Sequence, residues 1–321
     1  MRASISFLAL GFVVMATQVL AEQTSVEAAA AAAGLRVDTG TVPVNSVALY
    51  YRDIGRPDGP SLVLLHGFPE TGDTFAAVVA NLGKRYRLIV PDLRGAGASQ
   101  VPAGGYDKRT VASDVRDLMD RLGIARAHVM GHDIGARVAM AFAVQYPDRL
   151  LSIGVAESFI EGLAGTAEFK RFAATNPRLQ HFARFARVDD SVKEYQGKEE
   201  QLVLSFMNSR TRTRRFAADE VTRYVASLKR DGALRAAFLG YESFDRDAMF
   251  LESADFSRLA TVPALAVVCQ GPAGNGLQRQ LAAAGLQNLA ARTLERCAHW
   301  ITEENPDETA PVIADFLDGA R

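Results

Sequence analysis

Val129-Met130-Gly131-His132-Asp133-Ile134-Gly135 reads as an apolar strand running into a Gly-x-Asp-x-Gly turn, and Ala136-Arg137-Val138-Ala139-Met140-Ala141-Phe142-Ala143 continues as a helix-like run. The two glycines permit a sharp strand-to-helix turn, because a side chain at either place would strike the neighbouring helix or strand. The residue between them is pushed out into a cleft. In the Gly-x-Ser-x-Gly version of this turn that residue is a serine nucleophile. Here it is Asp133, a carboxylate at a helix N-terminus, where the dipole favours the ionised form. A carboxylate nucleophile makes an ester with an alkyl carbon, which suits ring opening or halide displacement and not ordinary ester hydrolysis. Taken alone, Gly-x-Asp-x-Gly describes the end of an ordinary strand equally well, so its weight depends on its companions.

Working outward, Ser61-Leu62-Val63-Leu64-Leu65 is a continuous apolar run suited to a buried parallel strand. It delivers His66-Gly67-Phe68-Pro69-Glu70 to the sheet edge that carries Asp133. Val47 to Asp53 alternates as an early strand, and Tyr86 to Val90 leads into the glycine-rich turn Asp92-Leu93-Arg94-Gly95-Ala96-Gly97. That turn could suggest phosphate binding, but no helix with a lysine follows as a P-loop requires, so it reads as scaffold. Val111, Val115, Leu118, Met119 and Leu122 recur at helical spacing, and Gly123 stops that helix. Leu150 to Ala156 is the next strand and ends at Glu157. Alternating strand, turn and helix implies a mostly parallel, doubly wound sheet. From about Ile160 to Leu259 only helical patterns occur, as in a helical insertion over the sheet edge. The sheet resumes at Pro263, Arg292 to Arg296 is the last strand, and an amphipathic helix through Val312, Ile313, Phe316 and Leu317 closes the chain.

Length and charge narrow the function. The 321 residues suffice for one large α/β domain with an insertion. Lys+Arg number 36 and Asp+Glu 37, a net charge of -1, so nothing electrostatic speaks for nucleic acid or an anionic membrane, and a small neutral substrate is the default. Met1-Arg2, an apolar stretch over 5–15, and Val19-Leu20-Ala21 read as a secretory signal peptide cut after Ala21. The apolar run is too short to span a membrane, which takes about 20 residues, so a mature chain without a span, secreted or periplasmic, is expected. Residues 22–46 read as a leader, frayed or loosely helical from Glu27 to Ala33. The core then covers 47–158 and 261–321, with a cap over 159–260. Cys269 and Cys297 end two successive predicted strands. Adjacent parallel strands seldom offer disulfide geometry, so two buried free thiols are expected, with a bridge as the alternative.

Asp133, Glu157 and His299 follow in the order nucleophile, acid and base, each at the carboxyl end of a predicted strand, where open α/β sheets place their sites. The acid would orient the imidazole and the imidazole would activate water. The predicted fold, Asp133, and His299 just before the last helix resemble the α/β-hydrolase superfamily, specifically its epoxide hydrolase and dehalogenase branch. His66-Gly67-Phe68-Pro69 looks like that superfamily's oxyanion loop. The resemblance covers nearly all of Val47 to Leu317. Within the branch, the chain is most similar to the Cif-like family of secreted bacterial epoxide hydrolases. That family's acid is a glutamate straight after the strand that follows the nucleophile helix, and its ring-opening pair is one His and one Tyr. Glu157 sits 24 residues beyond Asp133, His181 a further 24 along, and Tyr241 lies 58 before His299.

The resemblance implies that Asp133 attacks the epoxide while His181 and Tyr241 hold the ring oxygen. The backbone N–H groups of Phe68 and Ile134 then stabilise the oxyanion as His299 activates water. It also implies a vicinal diol as product, no cofactor or metal, and a homodimer. Without it, His181 reads first as an exposed cap histidine, and Tyr241 competes with Tyr195 and Tyr224. Glu157 needs a partner in any reading, because a carboxylate at the end of a buried strand is costly otherwise. His132 points the other way along the strand and reads as structural, and Glu161 as a solvated cap residue. Phe159, Phe172, Phe182, Phe185 and Met207 suggest an apolar tunnel or, equally, cap core. The runner-up enzyme is a dehalogenase with the same Asp133. Against it, Trp300 is the only tryptophan, Phe182 follows His181 where haloacetate dehalogenases resemble one another in having Trp, and Ile134 stands where they place an arginine. A non-catalytic binding module has no need to keep nucleophile, acid and base together, though the fold alone permits it.

Overall fold

A computed structural model describes residues 25–271 and 274–320. The signal segment expected over 1–21 lies outside the described residues. Eight strands form one sheet: β1 Val37–Val44, β2 Val47–Gly55, β3 Ser61–Leu65, β4 Arg87–Pro91, β5 Ala127–His132, β6 Leu150–Ala156, β7 Ala264–Cys269 and β8 Leu289–Leu294. Their order is β1-β2-β4-β3-β5-β6-β7-β8. β2 runs antiparallel to both its neighbours, and every other pairing is parallel. This is the α/β-hydrolase fold anticipated from the alternating pattern.

Strand side chains alternate between faces, and the apolar run of β3 shows what each face meets. Val63 and Leu65 pack with Val111, Val115 and Leu118 of helix Lys108–Arg121 and with Val138 and Phe142 of helix Ile134–Gln145. Leu62 and Leu64 pack on the other face with Val78 and Leu82 of helix Ala76–Leu82 and with Ile313 and Leu317 of helix Pro306–Gly319. Each such fully buried aliphatic side chain contributes about 1.5–3 kcal/mol. Sheet and helices are therefore rigid enough to hold loops at the carboxyl ends of β3, β5, β6 and β7 in fixed positions.

Between β6 and β7 the chain is helical: Thr166–Thr175, His181–Phe185, Val188–Tyr195, Glu199–Asn208, Thr222–Lys229, Ala233–Glu242 and Phe244–Glu252. These helices share an apolar cluster of their own, including Phe185, Leu202, Phe206, Tyr224, Phe238 and Tyr241, and it takes in Phe68 and Trp300 from the core. The cap is thus anchored on two aromatic side chains that each sit beside a site residue. Among the described residues no helix is long and apolar enough to cross a membrane.

Two expectations are corrected here. The stretch read as a leader carries helix Val26–Ala32, whose Val26 and Ala30 are fully buried, and the edge strand β1, paired along its length with β2. β1 has one buried position and four exposed ones among its eight, so it lacks the apolar alternation that announces a strand. Cys269 and Cys297 form a disulfide, with Cα atoms 5.3 Å apart. Cys297 lies beyond the end of β8, in the loop before His299, and there the constraint on adjacent parallel strands does not apply.

Candidate active site

The turn after β5 is as tight as its glycines imply. A Cβ on Gly131 would collide with the Gly135 carbonyl, one on Gly135 with the Leu65 carbonyl, and one on Gly67 would lie 2.5 Å from Asp133 Cβ. Asp133 itself has φ 51° and ψ -118°, a conformation that costs a non-glycine residue about 1–3 kcal/mol and that packing on all sides holds in place. Glu157 is turned out of the end of β6 in the same way, at φ 45°. Both carboxylates therefore leave their strands at the sheet's carboxyl edge, facing the loop after β8.

That loop supplies His299. Its Nε2 lies 3.5 Å from Asp133 Oδ2 and its Nδ1 3.2 Å from Glu157 Oε2. The three side chains remain 13–15% exposed, so the constellation is open to a ligand. Phe68 N–H donates to Asp133 Oδ1 at 3.1 Å. Ile134 begins the following helix, and its N–H makes no capping bond to the Asp133 side chain. Burial alone would raise the Asp133 pKa, but the hydrogen bond and charge of His299, then the charges of Arg137 and His132, hold it far below the usual carboxylate range. Burial would lower His299, yet its hydrogen bonds to Asp133 and Glu157 raise it. The site thus holds an ionised carboxylate beside an imidazole backed by a second carboxylate, an arrangement suited to nucleophilic chemistry.

His181 and Tyr241 come together in the cap, ring centroids 5.9 Å apart, on the wall of a cavity of about 970 Å³ that Phe182, Phe185, Phe206 and Arg210 also line. Asp133 and His299 are not on that wall, but Phe68 joins the two groups. Its ring stands edge-on to Tyr241 at 5.5 Å while its N–H holds Asp133. Burial, then the Arg210 charge, brings the His181 pKa down to about 3, and burial followed by the Asp133 charge raises Tyr241 well above its ordinary value. Both are neutral donors near neutral pH. Of the competing tyrosines, Tyr195 also lines the cavity, whereas Tyr224 donates to Glu303 at 2.7 Å. Of the anticipated tunnel residues, Phe182 and Phe185 line the cavity. Phe159, Phe172 and Met207 do not; Phe159 stacks on Phe169, Phe172 is exposed, and Met207 is cap core.

A second layer fixes the first. His132, raised to about 10 because Glu70 outweighs the effect of burial, donates through Nδ1 to Glu70 Oε2 at 3.0 Å and through Nε2 to the His299 carbonyl at 2.9 Å. It is buried, and its charge holds the His299 backbone. The disulfide joins the loop of His299 to Cys269, whose N–H donates to Glu157 Oε1 at 2.5 Å, so one covalent link braces acid and base together. The turn from Asp92 is scaffold: its Oδ1 accepts from Arg52 and from Gly72 N–H, and its Oδ2 from Ala98 N–H.

Glu161 is not solvated but buried, in a two-pronged pair with Arg137 at 2.6 and 2.9 Å. Arg137 lies one helical turn beyond Asp133, and its guanidinium carbon sits 4.6 Å over the Phe244 ring. The sequence reading treated Arg137 only as part of a helix. Its signal was available: a cation four residues after Asp133 on an otherwise apolar helix needs a buried partner. Glu304 was also missed. Its Oε1 accepts from the N–H groups of Ala298, His299 and Trp300, and its Oε2 from Thr211 Oγ1 and the N–H groups of Arg212 and Thr213. One carboxylate therefore ties the base loop to the cap.

A model of the alpha/beta hydrolase fold family matches residues 60–186. A fluoroacetate dehalogenase of Burkholderia sp. is 30% identical over 297 residues, 89% of this chain and 93% of its own length. The chain belongs to the α/β-hydrolase family. A soluble epoxide hydrolase of Corynebacterium sp. strain C12 is 42% identical over 105 residues, 33% of this chain and 36% of its own. The crystal structure of Cfl2 from Burkholderia cenocepacia superposes with a TM-score of 0.74 at 29% identity, covering 88% of this chain and 95% of its own.

Proposed function

We propose that this chain is an epoxide hydrolase that works through a covalent ester on Asp133. The observation that carries the reading is the pair of donors, His181 and Tyr241, side by side on one cavity wall and joined through Phe68 to the Asp133 carboxylate. An Asp133 oxygen bonds to an epoxide carbon as the ring C–O bond breaks. The ring oxygen keeps the electron pair, held by both donors, and takes the Tyr241 proton. Water then loses a proton to His299 and attacks the Asp133 carbonyl, with the Phe68 and Ile134 N–H groups on the oxyanion. The diol leaves, Asp133 regains its charge, and the proton on His299 returns through solvent to Tyr241.

The test is trapping. His299→Gln incubated with styrene oxide should accumulate Asp133 carrying the added mass of the epoxide, located by peptide mass spectrometry. Wild-type turnover with no adduct at Asp133 in the variant would end the scheme.

Dehalogenation is the second reading, favoured by the near full-length similarity to the Burkholderia fluoroacetate dehalogenase. Two contacts weigh against it. Trp300 Nε1 donates to the Met207 carbonyl at 3.0 Å, so the single indole is already engaged. Arg137 is committed to Glu161, and its charge is not free for a substrate carboxylate. Fluoride release from fluoroacetate against diol formation from styrene oxide separates the readings.

We also infer a Cif-like, exported enzyme. The disulfide suits an oxidising compartment, and residues 1–21 read as a signal peptide. N-terminal sequencing of the protein from separated cell fractions tests this, and sedimentation tests the homodimer.

A further inference from the structure

Arg210 follows helix Glu199–Asn208 and lines the cavity beside His181. Among the described residues it forms no salt bridge to a carboxylate. Its Nη1 donates to the Phe206 carbonyl at 3.1 Å and to Ser209 Oγ at 2.7 Å, and the guanidinium lies 3.8 Å over the Phe206 ring. Its Nη2 lies 2.9 Å from the Arg178 carbonyl and 2.8 Å from His181 Nδ1. A cation pinned by carbonyls, a hydroxyl and a ring face has little freedom to turn away from the imidazole.

His181 Nδ1 is also 3.1 Å from the Arg178 carbonyl, so two tautomers need weighing. With the proton on Nδ1, the ring would donate to that carbonyl and press a proton against the Arg210 N–H at 2.8 Å. A guanidinium has only donors, so that contact would be repulsive. With Nδ1 bare, it accepts from Arg210, and the Arg178 carbonyl accepts from Arg210 as well. Both Arg210 N–H bonds are then made, and the only contact without a proton is the 3.1 Å approach of Nδ1 to the Arg178 carbonyl, two acceptors that share the Arg210 donor between them. The second arrangement puts the proton on Nε2, the ring nitrogen with no bond to the protein among the described residues.

We propose that Arg210 is a positioning residue that fixes His181 as the Nε2–H tautomer, so that a neutral N–H donor is presented to the substrate oxygen in the cavity. This rests on the ring-opening reading for the identity of that oxygen, but the tautomer itself does not. The groups that face His181 agree with a neutral ring. Phe182, Phe185 and Phe206 surround it, Tyr241 offers an uncharged hydroxyl, and of the charges acting on it Arg210 and His299 disfavour the imidazolium while Asp133 favours it. Arg210 therefore sets which nitrogen carries the proton, while burial, with the Arg210 charge second, keeps the ring neutral.

The deciding measurement is a nitrogen-detected NMR spectrum of the histidine side chains of the full chain without substrate, with His181 assigned by its loss in His181→Asn. The expected result is a protonated Nε2 and a bare Nδ1 that do not titrate between about pH 5 and 8. A proton on Nδ1, or titration inside that range, overturns the inference. Arg210→Met and Arg210→Lys provide the kinetic arm. In the Met variant, ester formation on Asp133 should fall about tenfold or more, while ester hydrolysis keeps its rate. Lys should recover much of the loss. Unchanged ester formation in Arg210→Met, or an equal fall in both steps, also overturns it. If no epoxide is turned over at all, the ring-opening reading fails, and the NMR result still decides the role of Arg210.

Discussion

His299 Nε2 lies 3.5 Å from Asp133 Oδ2, so the imidazole and the carboxylate are electrostatic partners. Burial opposes the imidazolium, and the hydrogen bonds to Asp133 and Glu157 raise its pKa in spite of that. Once Asp133 becomes a neutral ester, its part of that support is gone and Glu157 alone remains. In the proposed mechanism, the same covalent step that requires a base makes His299 a readier one.

A pH signature follows, with a definite sign. Ester formation needs ionised Asp133, whose pKa is far below the ordinary range, so its rate should stay level as the medium is acidified through about pH 5. Ester hydrolysis needs neutral His299, so its rate should fall as pH drops through the imidazole pKa of the intermediate, which is lower than that of the free enzyme. Rapid-mixing measurement of the two steps over about pH 5 to 8 checks this. An acid limb on ester formation with none on hydrolysis would contradict it.

Removing one donor of the pair should slow only the first step. Tyr241→Phe keeps the ring packing against Phe68 and Phe185 but deletes the hydroxyl. Ester formation should drop by roughly 10²–10³, the usual effect of losing one donor to a developing oxyanion. Hydrolysis of preformed ester should hardly change. Because burial and the Asp133 charge keep Tyr241 protonated well past its ordinary pKa, wild-type ester formation should show no alkaline limb from this group below about pH 10.

Sheet and triad were legible for a shared reason. β3 is a continuous apolar run, β5 and β6 are apolar apart from His128, His132 and Ser152, and Asp133, Glu157 and His299 each stand at or just beyond a strand's carboxyl end, so local pattern placed them. His181 and Tyr241 had no such local mark, and only the resemblance picked them out. What stayed hidden depends on contacts between distant segments. β1 has a mostly exposed face, Arg137 and Glu161 pair across 24 positions, and Cys297 meets Cys269 only because the loop after β8 folds back over β7. Glu304 looks like any acidic residue in the first turn of a short helix. Its six bonds come from two segments that sequence alone does not bring together.

The disulfide should matter for stability and for the base. Denatured, unreduced protein should show no thiol by colorimetric counting. Closing the loop between Cys269 and Cys297, a separation of 28 residues, stabilises by about 3–4 kcal/mol on the chain-entropy account. Cys269→Ala with Cys297→Ala should lose about that much in denaturant unfolding. Ester hydrolysis should slow more than ester formation, since the link braces the Glu157 and His299 loops. Equal midpoints with and without reductant would refute the structural role.

Glu304 gives the sharpest test of how the cap and the base loop are coupled. Burial would raise its pKa, but the N–H groups of Arg212, Ala298 and His299 and the Thr211 hydroxyl lower it. A carboxyl depressed in the folded state adds stability that is present above its unfolded pKa, near 4.5, and is lost as pH falls through the folded value. Glu304→Gln keeps the shape but replaces one acceptor oxygen with a donor, which cannot accept from either trio of donors. It should cost about 1–3 kcal/mol at neutral pH and flatten the acid side of the stability curve relative to wild type. Glu304→Ala removes both oxygens and so releases the N–H groups of Ala298, His299 and Trp300, and it should also hydrolyse the Asp133 ester more slowly while forming it at nearly the wild-type rate. Urea unfolding at several pH values and rapid quench of the two steps report the two effects separately. A variant that unfolds earlier but keeps both rates would show that Glu304 supports the cap without positioning the base.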